Sequence, residues 1–483
     1  MNTTNNEHFI LLHSATENEY SNGFIAIAFN SLLSISCGSI AHPHEDFLQC
    51  LSLHFPDSLS ISKVTCTPQN SSYTSNLQSE TRNPRFRKPT TPKPIVIITP
   101  LEEVHIQDSI YRAKEHGLEM RVRRRGHDYE GLSYLSYQGP LALVDLINFR
   151  SIAADVENGT ARVQAGAAIG ELYYRIAEKS RTLGFTAVVC ITVGVGGHFT
   201  GGAYSMISRK HGSAADNIIH ARLVDVNGKI LDRNLMGEDF FWAIRGGGAA
   251  SFGLVLAWQI KLNKRALDAN ASKFVYRWQH VADKIDENLM IRLHLLKVNS
   301  GTYGKTTSLA VFKSLFLGIA DELVVVMQES FPELGLVRAD CTEMFESVLY
   351  FAGLLHFLVT RKAKSDYVTE PISEIVFKQI WKKIIGLKVD LFQLICVPFG
   401  GSLNQIPESE TPFPHNIHYL SNWEEEGPNA ERKHLRLIRI FYNFMAPYVS
   451  KNPRTAYFHY RDLDLGMNSR SYEQASIWGH KYF

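Results

Sequence analysis

Signatures that announce a chemistry are scarce in this 483-residue chain. Its six cysteines form no Cys-x-x-Cys pair, so a structural zinc site and thioredoxin-like exchange both lack the spacing they need. His-Glu-x-x-His is absent, and the histidine spacing offers a metal no ligand set. Gly-x-Ser-x-Gly is absent too, and with it the main hydrolase signal. Gly194-x-Gly196-x-x-Phe199 breaks the dinucleotide fingerprint, and Gly246-Gly247-Gly248 runs into Ala249-Ala250-Ser251 without the lysine of a phosphate loop, which disfavours nicotinamide and ATP. An excess of one charge is missing: 50 basic residues stand against 48 acidic ones, a net of +2 that gives no reason to expect nucleic acid. No fixed-period repeat or long low-complexity tract is present. What remains is an ordinary globular composition, 45% hydrophobic and 20% charged, long enough for two or three domains around a large core.

A long apolar run is missing as well. The nearest is Phe24 to Ala41, which ends in Ser39-Ile40-Ala41, small residues of the kind signal peptidase cleaves after, while Asn30 and its serines make it a poor membrane span. Residues 1–23 hold no Lys or Arg but do hold Glu7, Glu17 and Glu19, an atypical leader for a signal segment. We therefore expect residues 1–41 to be an extension plus signal segment, the mature chain to be secreted without stable membrane insertion, and the sequons at Asn70, Asn158 and Asn270 to suit glycosylation.

What is there is a strand-and-helix pattern carrying two glycine-rich loops. Pro94–Thr99 reads as a strand, 101–116 as a helix stopped at Gly117, and 119–124 as the next strand. Strands at 141–146 and 161–165 flank the Asn158-Gly159 turn, 169–180 reads as a helix, 224–231 as a hairpin turning at Asn227-Gly228, 238–244 as a helix and 252–262 as a strand. No regular parallel strand-helix-strand unit is expected, which points to an α+β fold. From about Lys273 the segments lengthen, with an acidic helix expected at 282–289, a segment at 319–329, and loops at Gly400-Gly401 and Pro412–Pro414. The first glycine loop is Arg121-Val-Arg-Arg-Arg-Gly-His-Asp-Tyr-Glu-Gly131 and the second is Cys190-Ile-Thr-Val-Gly-Val-Gly-Gly-His-Phe-Thr-Gly-Gly202. Glycine lets main chain approach a ligand closely, and successive amides form an anion-binding concavity. Two such loops can cradle a diphosphate.

These loops, with Gly237-Glu-Asp-Phe-Phe-Trp-Ala-Ile-Arg-Gly-Gly-Gly248 and Tyr460-Arg-Asp-Leu-Asp-Leu-Gly466, resemble the plant berberine-bridge-enzyme-like family of FAD-linked oxidoreductases from about Glu45 to Tyr482. The resemblance implies a PCMH-type (vanillyl-alcohol-oxidase-like) FAD-binding domain over 42–272, a substrate domain built on a helix-covered sheet over 273–455, and a return to the first domain over 456–483. It implies FAD held by two covalent bonds, from His127 and Cys190, with Gly126, Asp128, Val193, Gly194, Gly196, Gly197 and His198 around it. Taken alone, His127 reads as a core or capping histidine and Cys190 as a buried thiol. The family passes a hydride from an alcohol, sugar or alkaloid-like molecule to the flavin while a base removes a proton, and the matching positions are Tyr204, Tyr460 and His418, where the family usually carries Gln or Glu at the last. Either tyrosine reads equally well as a packed aromatic, and imidazole serves as a base near neutrality. Val193 matches a valine of the family's oxygen-reactive members, which favours an oxidase using O2. A monomer acting on a small molecule is expected, with no metal.

The chain departs from the family at several places. Arg124 and Arg125 stand for Ser-Gly, so a positive φ at 125 would cost arginine of order 1 kcal/mol. Ala203, Ser205, Ala249 and Ala250 stand for glycines, Ile191 for proline, and Arg112 for the cysteine that pairs with the family's counterpart of Cys50, so that disulfide is expected to be lost. The family's insert looks shortened after Gly353 and near His415, and its tail extends past the position of Phe483. These departures define a second expectation: a degenerate member that does not turn over.

Overall fold

The computed structural model describes residues 43–54, 63–180, 183–264, 268–271, 278–279, 281–299, 306–332, 336–338, 341–342, 359–387, 389, 391–401, 405–406, 416–466 and 472–482. The expectations for residues 1–41 and for Pro412–Pro414, and the shortenings after Gly353 and at His415, lie outside the described residues. So does the side chain of Asn270.

Two short runs of β-branched and leucyl residues, 96–98 and 141–145, lie side by side as fully buried strands. β1 (Thr65–Cys66) and β2 (Val96–Ile98) lead into the helix Glu103–Glu115, then β3 (Glu119–Arg123) and β4 (Leu141–Asp145). Their order in the sheet is β1-β2-β4-β3, with β2, β4 and β3 mutually parallel. β2, the helix and β3 thus form one parallel crossover with β4 inserted between its strands, a unit the sequence reading did not foresee. β2 and β4 are buried on both faces, as a parallel sheet requires.

The second sheet is antiparallel: β5 (Ile152–Asp155), β6 (Thr160–Gln164), the minor β7 (Leu183–Gly184), β8 (Ile218–Asp225), β9 (Ile230–Asp232) and β10 (Gly253–Lys261), in the order β5-β6-β10-β8-β9 with β7 outside it. The partner of β6 across the Asn158-Gly159 turn is β5, not the strand at 141–146, which belongs to the first sheet. The helix Arg233–Ala243 begins earlier than expected and breaks at Gly237, whose φ is 73°. Aliphatic residues of both sheets, from Phe47 to Leu262, share one core.

After β11 (Asn263–Lys264) comes a seven-stranded sheet: β12 (Asp268–Ala271), β13 (Leu289–Asn299), β14 (Thr306–Phe316), β15 (Cys341–Thr342), β16 (Thr360–Asp366), β17 (Leu391–Val397) and β18 (Asn416–Trp423), ordered β15-β12-β14-β13-β17-β18-β16. Period-two alternation on β13 sends Leu289, Ile291, Leu293 and Leu295 into a second core with the helices Ala320–Ser330, Glu374–Gly386 and Pro428–Met445. Met290 joins a third, smaller cluster with Tyr204, Tyr367, Phe399 and Tyr457, which ties this sheet to the first part of the chain. Residues 282–288 are turns rather than a helix: the Asp286 carboxylate accepts the Asn288 amide at 2.8 Å, a local bond that competes with helix formation. Cys50, Cys66, Cys190 and Cys396 are free thiols. Among the described residues no helix is long and apolar enough to cross a membrane.

Candidate active site

β3 ends in three arginines, and the chain turns at once into the first glycine loop. Gly126 (φ 57°) and Gly131 (φ 73°) take left-handed backbone there. A Cβ on Gly126 would stand 1.6 Å from the Glu80 carbonyl oxygen, so only glycine passes. Asp128 closes the loop from within, its Oδ1 accepting the Glu130 amide at 2.8 Å and its Oδ2 the Ser133 amide at 2.9 Å. Arg125 carries a positive φ of 156° and Ala203 one of 62°, both in the range that favours glycine.

The second loop is laid against the start of the helix Ile169–Ala177. The Ile169 and Gly170 amides donate to the Val193 and Ile191 carbonyls at 2.9 Å, and the Val195 and Gly196 amides donate back to Ala167 and Ala165 at 2.9 and 3.1 Å. A Cβ on Gly194 would meet the Arg124 carbonyl oxygen at 2.5 Å, and one on Gly196 the Ala165 oxygen at 2.6 Å. His198 accepts the Val188 amide on Nε2 at 3.0 Å and stacks on His459, which donates through Nε2 to the Gly197 carbonyl at 3.0 Å. Val193 packs on the first core.

His127 and Cys190 converge on a residue the sequence reading passed over. Thr192 Oγ1 lies 2.9 Å from His127 Nε2 and 3.6 Å from Cys190 Sγ. Burial first, then the charges of Arg82 and Arg361, pull His127 down to about 3, so its imidazole is neutral and its nitrogen lone pair free of a proton. Arg124, His127, Tyr129, Cys190, Thr192 and Val193 all keep part of their surface accessible, so they wall a cleft rather than fill a core. Glycine cradles on two sides and a neutral imidazole and a thiol on the third suit a flat cofactor with a diphosphate tail.

Beyond Tyr129 lies an aromatic cluster. The Tyr204 and Tyr460 hydroxyls share a hydrogen bond, and Tyr129 stands 6.1 Å from Tyr460 between ring centroids. Burial, then Tyr204 and Tyr129, push Tyr460 well above the usual phenol range, so it keeps its proton. Arg292, from the outer face of β13, sets its guanidinium 5.1 Å from the Tyr204 ring centroid. No motif marked Arg292; only the strand alternation that faces it away from the helices could have found it.

His418 is placed beside these groups but not as an acid–base group working near neutrality. Its ring stacks on Tyr460 at 3.7 Å and 11°. Burial first, then Arg292 and Arg361, pull it to about 3, which leaves it a weak proton acceptor. The reading of His418 as a neutral-range base is therefore replaced by that of an aromatic platform. Burial likewise lowers His198, and lowers His459 to about 4. In the unfolded chain all three titrate near 6.5, so below that pH the unfolded state binds protons that the folded state refuses. The contribution of these histidines is expected to be constant above about pH 6.5, and stability to fall by about 1.4 kcal/mol per pH unit for each of them as pH drops towards 4. Urea titrations at a series of pH values check this; a flat profile down to pH 4 contradicts neutral burial.

Comparison with known proteins places this geometry. Residues 94–234 match the FAD binding domain family. The chain is 44% identical to tetrahydroberberine oxidase of Argemone mexicana, over 95% of this chain and 90% of that protein. The structure of BBE-like 28 from Arabidopsis thaliana superposes with a TM-score of 0.83 at 41% identity, covering 91% of this chain and 94% of the other. Wild-type Phl p 4, described as a glucose dehydrogenase, does so with a TM-score of 0.83 at 38% identity over 91% and 94%. A match of this identity over nearly the whole length, on an α+β fold with two facing glycine loops, settles the assignment: the chain belongs to the plant berberine-bridge-enzyme-like family of FAD-dependent oxidoreductases.

Proposed function

We propose that this protein is a secreted oxidase of an alcohol, sugar or alkaloid-like small molecule, with FAD attached through both His127 and Cys190. The observation that carries the reading is the convergence of those two side chains on Thr192, beside a hydrogen-bonded tyrosine pair under a cation. Bound FAD supplies the two-electron acceptor, and O2 receives the electrons as hydrogen peroxide. The chain's own residues handle the rest. Gly126, Gly194 and Gly196 let the two loops close on Glu80, Arg124 and Ala165, Gly197 leaves open space beside them for the cofactor, His198 orders their loop, and Asp128 shapes the first turn. Tyr460 donates a hydrogen bond to the Tyr204 oxygen, and the Arg292 cation favours that oxygen as a phenolate, which takes the substrate proton and is left as the neutral phenol. His418 and Tyr129 pack around this pair and hold its rings. Val193, small and next to the loop, leaves room for O2, and the protein works as a monomer. Exposed Asn70 and Asn158 suit glycosylation in the secretory path.

The relatives named for tetrahydroberberine and for glucose set the first substrates to screen. The decisive measurement is the absorbance spectrum of purified protein before and after acid precipitation. Flavin bands that stay with the pellet are expected. Yellow supernatant over a white pellet refutes covalent attachment. A second reading, a family member without turnover, is favoured by the positive φ at Arg125 and Ala203 and by the side chain of Arg124 lying across Gly196; a colourless protein would establish it.

A further inference from the structure

Three consecutive arginines leave β3, and their fates differ. Arg123 is neutralised: its Nε donates to Asp145 Oδ2 at 2.9 Å, and its two terminal nitrogens reach the Leu77 and Asn76 carbonyls at 2.7 and 2.8 Å. Arg125 is neutralised too, between Glu80 at 3.3 Å and Glu171 at 3.1 Å. Arg124 meets no carboxylate among the described residues. Its one hydrogen bond is a long one, from Nη2 to the Val255 carbonyl at 3.4 Å, and its Nε is buried without a partner among the described residues. Burial alone acts on it, lowering it to about 10, so the guanidinium stays charged at neutral pH. A partly enclosed, uncompensated charge is costly, and chains keep one where a ligand completes it.

Its position says which ligand. The stem lies flat across Gly196, where an added Cβ would be 2.3 Å from Arg124 Cδ and 2.6 Å from its Nε. The guanidinium therefore sits between the first glycine loop and the second, on the cleft wall that continues from His127, three residues on. A planar fork of N–H donors matches two neighbouring oxygens of a phosphate or a carboxylate, and between two glycine loops that can cradle a diphosphate the phosphate is the one that fits.

We infer that Arg124 is a charge clamp for the diphosphate of the cofactor, a side-chain contact this chain adds to the backbone amides of its glycine loops. The inference rests on the flavin reading above, and its test separates the two. In a chain carrying His127→Ala and Cys190→Ala, flavin binds without covalent links, so equilibrium affinities for FAD, riboflavin and ADP can be compared with and without Arg124→Met, using flavin fluorescence and calorimetry. Circular dichroism and thermal melts confirm that each variant folds. Loss of a charge-assisted phosphate contact is expected to weaken FAD and ADP by about 10- to 100-fold and riboflavin by less than about twofold. In the chain with both links intact, the same substitution is expected to lower the flavin-to-protein ratio on purification, a readout independent of the double variant. Equal or tighter FAD and ADP binding in Arg124→Met or Arg124→Ser overturns the clamp and makes Arg124 a plug in the cleft. If no flavin binds but ADP weakens with Arg124→Met, the flavin reading falls and the clamp stands as a phosphate site; if ADP is indifferent to residue 124, the clamp falls whatever the flavin does.

Discussion

Replacing Lys362 by Met is expected to destabilise the protein by about 3–5 kcal/mol, because it removes one partner of a buried ion network and leaves its carboxylates enclosed. Lys362 lies on β16, 2% exposed, with Glu130 of the first glycine loop on one side and Asp462 Oδ1 at 2.6 Å on the other. Lys364, two residues along the same face, bonds Asp462 and reaches Asp464 at 2.8 Å. Three distant pieces of chain, the flavin loop, the large sheet and the segment after Pro453, meet in this cluster. Burial pulls Lys362 down, and Glu130, Asp462 and Asp464 outweigh it, leaving its pKa raised. That contribution is complete below the unfolded value near 10.4 and disappears as pH rises through the folded one. For Asp464 burial pulls upward, and Arg439, Lys362 and Lys364 prevail to hold it well below the carboxylate range. Its contribution is present above about pH 4 and lost on acidification below that. Guanidinium unfolding of Lys362→Met at neutral pH checks the first figure; a loss under about 1 kcal/mol would mean the network is hydrated and weak.

Tyr204→Phe is expected to lower kcat by about a hundredfold to ten-thousandfold, with flavin content unchanged, because it deletes the oxygen that receives the substrate proton. Tyr460→Phe leaves that oxygen in place and should cost less. Arg292→Met removes the cation over the Tyr204 ring and is expected to slow flavin reduction as well. Anaerobic rates of flavin reduction measure all three without involving oxygen. Tyr204→Phe reducing at near the parent rate would refute the base assignment.

Much of the candidate site was legible because glycine marks its backbone requirements. Gly126 and Gly131 answer to left-handed φ, and Gly194 and Gly196 to the close approach of the Arg124 and Ala165 carbonyls, and a motif records all four directly. His127 and Cys190 were legible only as members of those motifs. Thr192 and Arg292 were not, since a hydroxyl between two motif residues and an arginine on a distant strand acquire meaning only through packing. His418 shows the opposite error: the residue type promised a base near neutrality, and enclosure against Tyr460 removed the water that would stabilise its charged form. The turns at 282–288 escaped because helix propensity was read from charge and length, while the Asp286 side chain captured the Asn288 amide.

From sequence alone came the α+β class, the family and FAD, with two glycine loops as its candidate cradle, all written in short stretches where glycine, β-branching and spacing constrain the backbone directly. Only the tertiary structure decided that β4 enters between β2 and β3, that Lys362 is locked between Glu130 and Asp462, and that Arg124 alone of three adjacent arginines meets no carboxylate among the described residues. Charge partners and burial come from residues far apart in the chain, 232 positions for Glu130 and Lys362. No local pattern carries that distance, because desolvation and Coulomb energy depend on what folding brings near, not on what stands next in line.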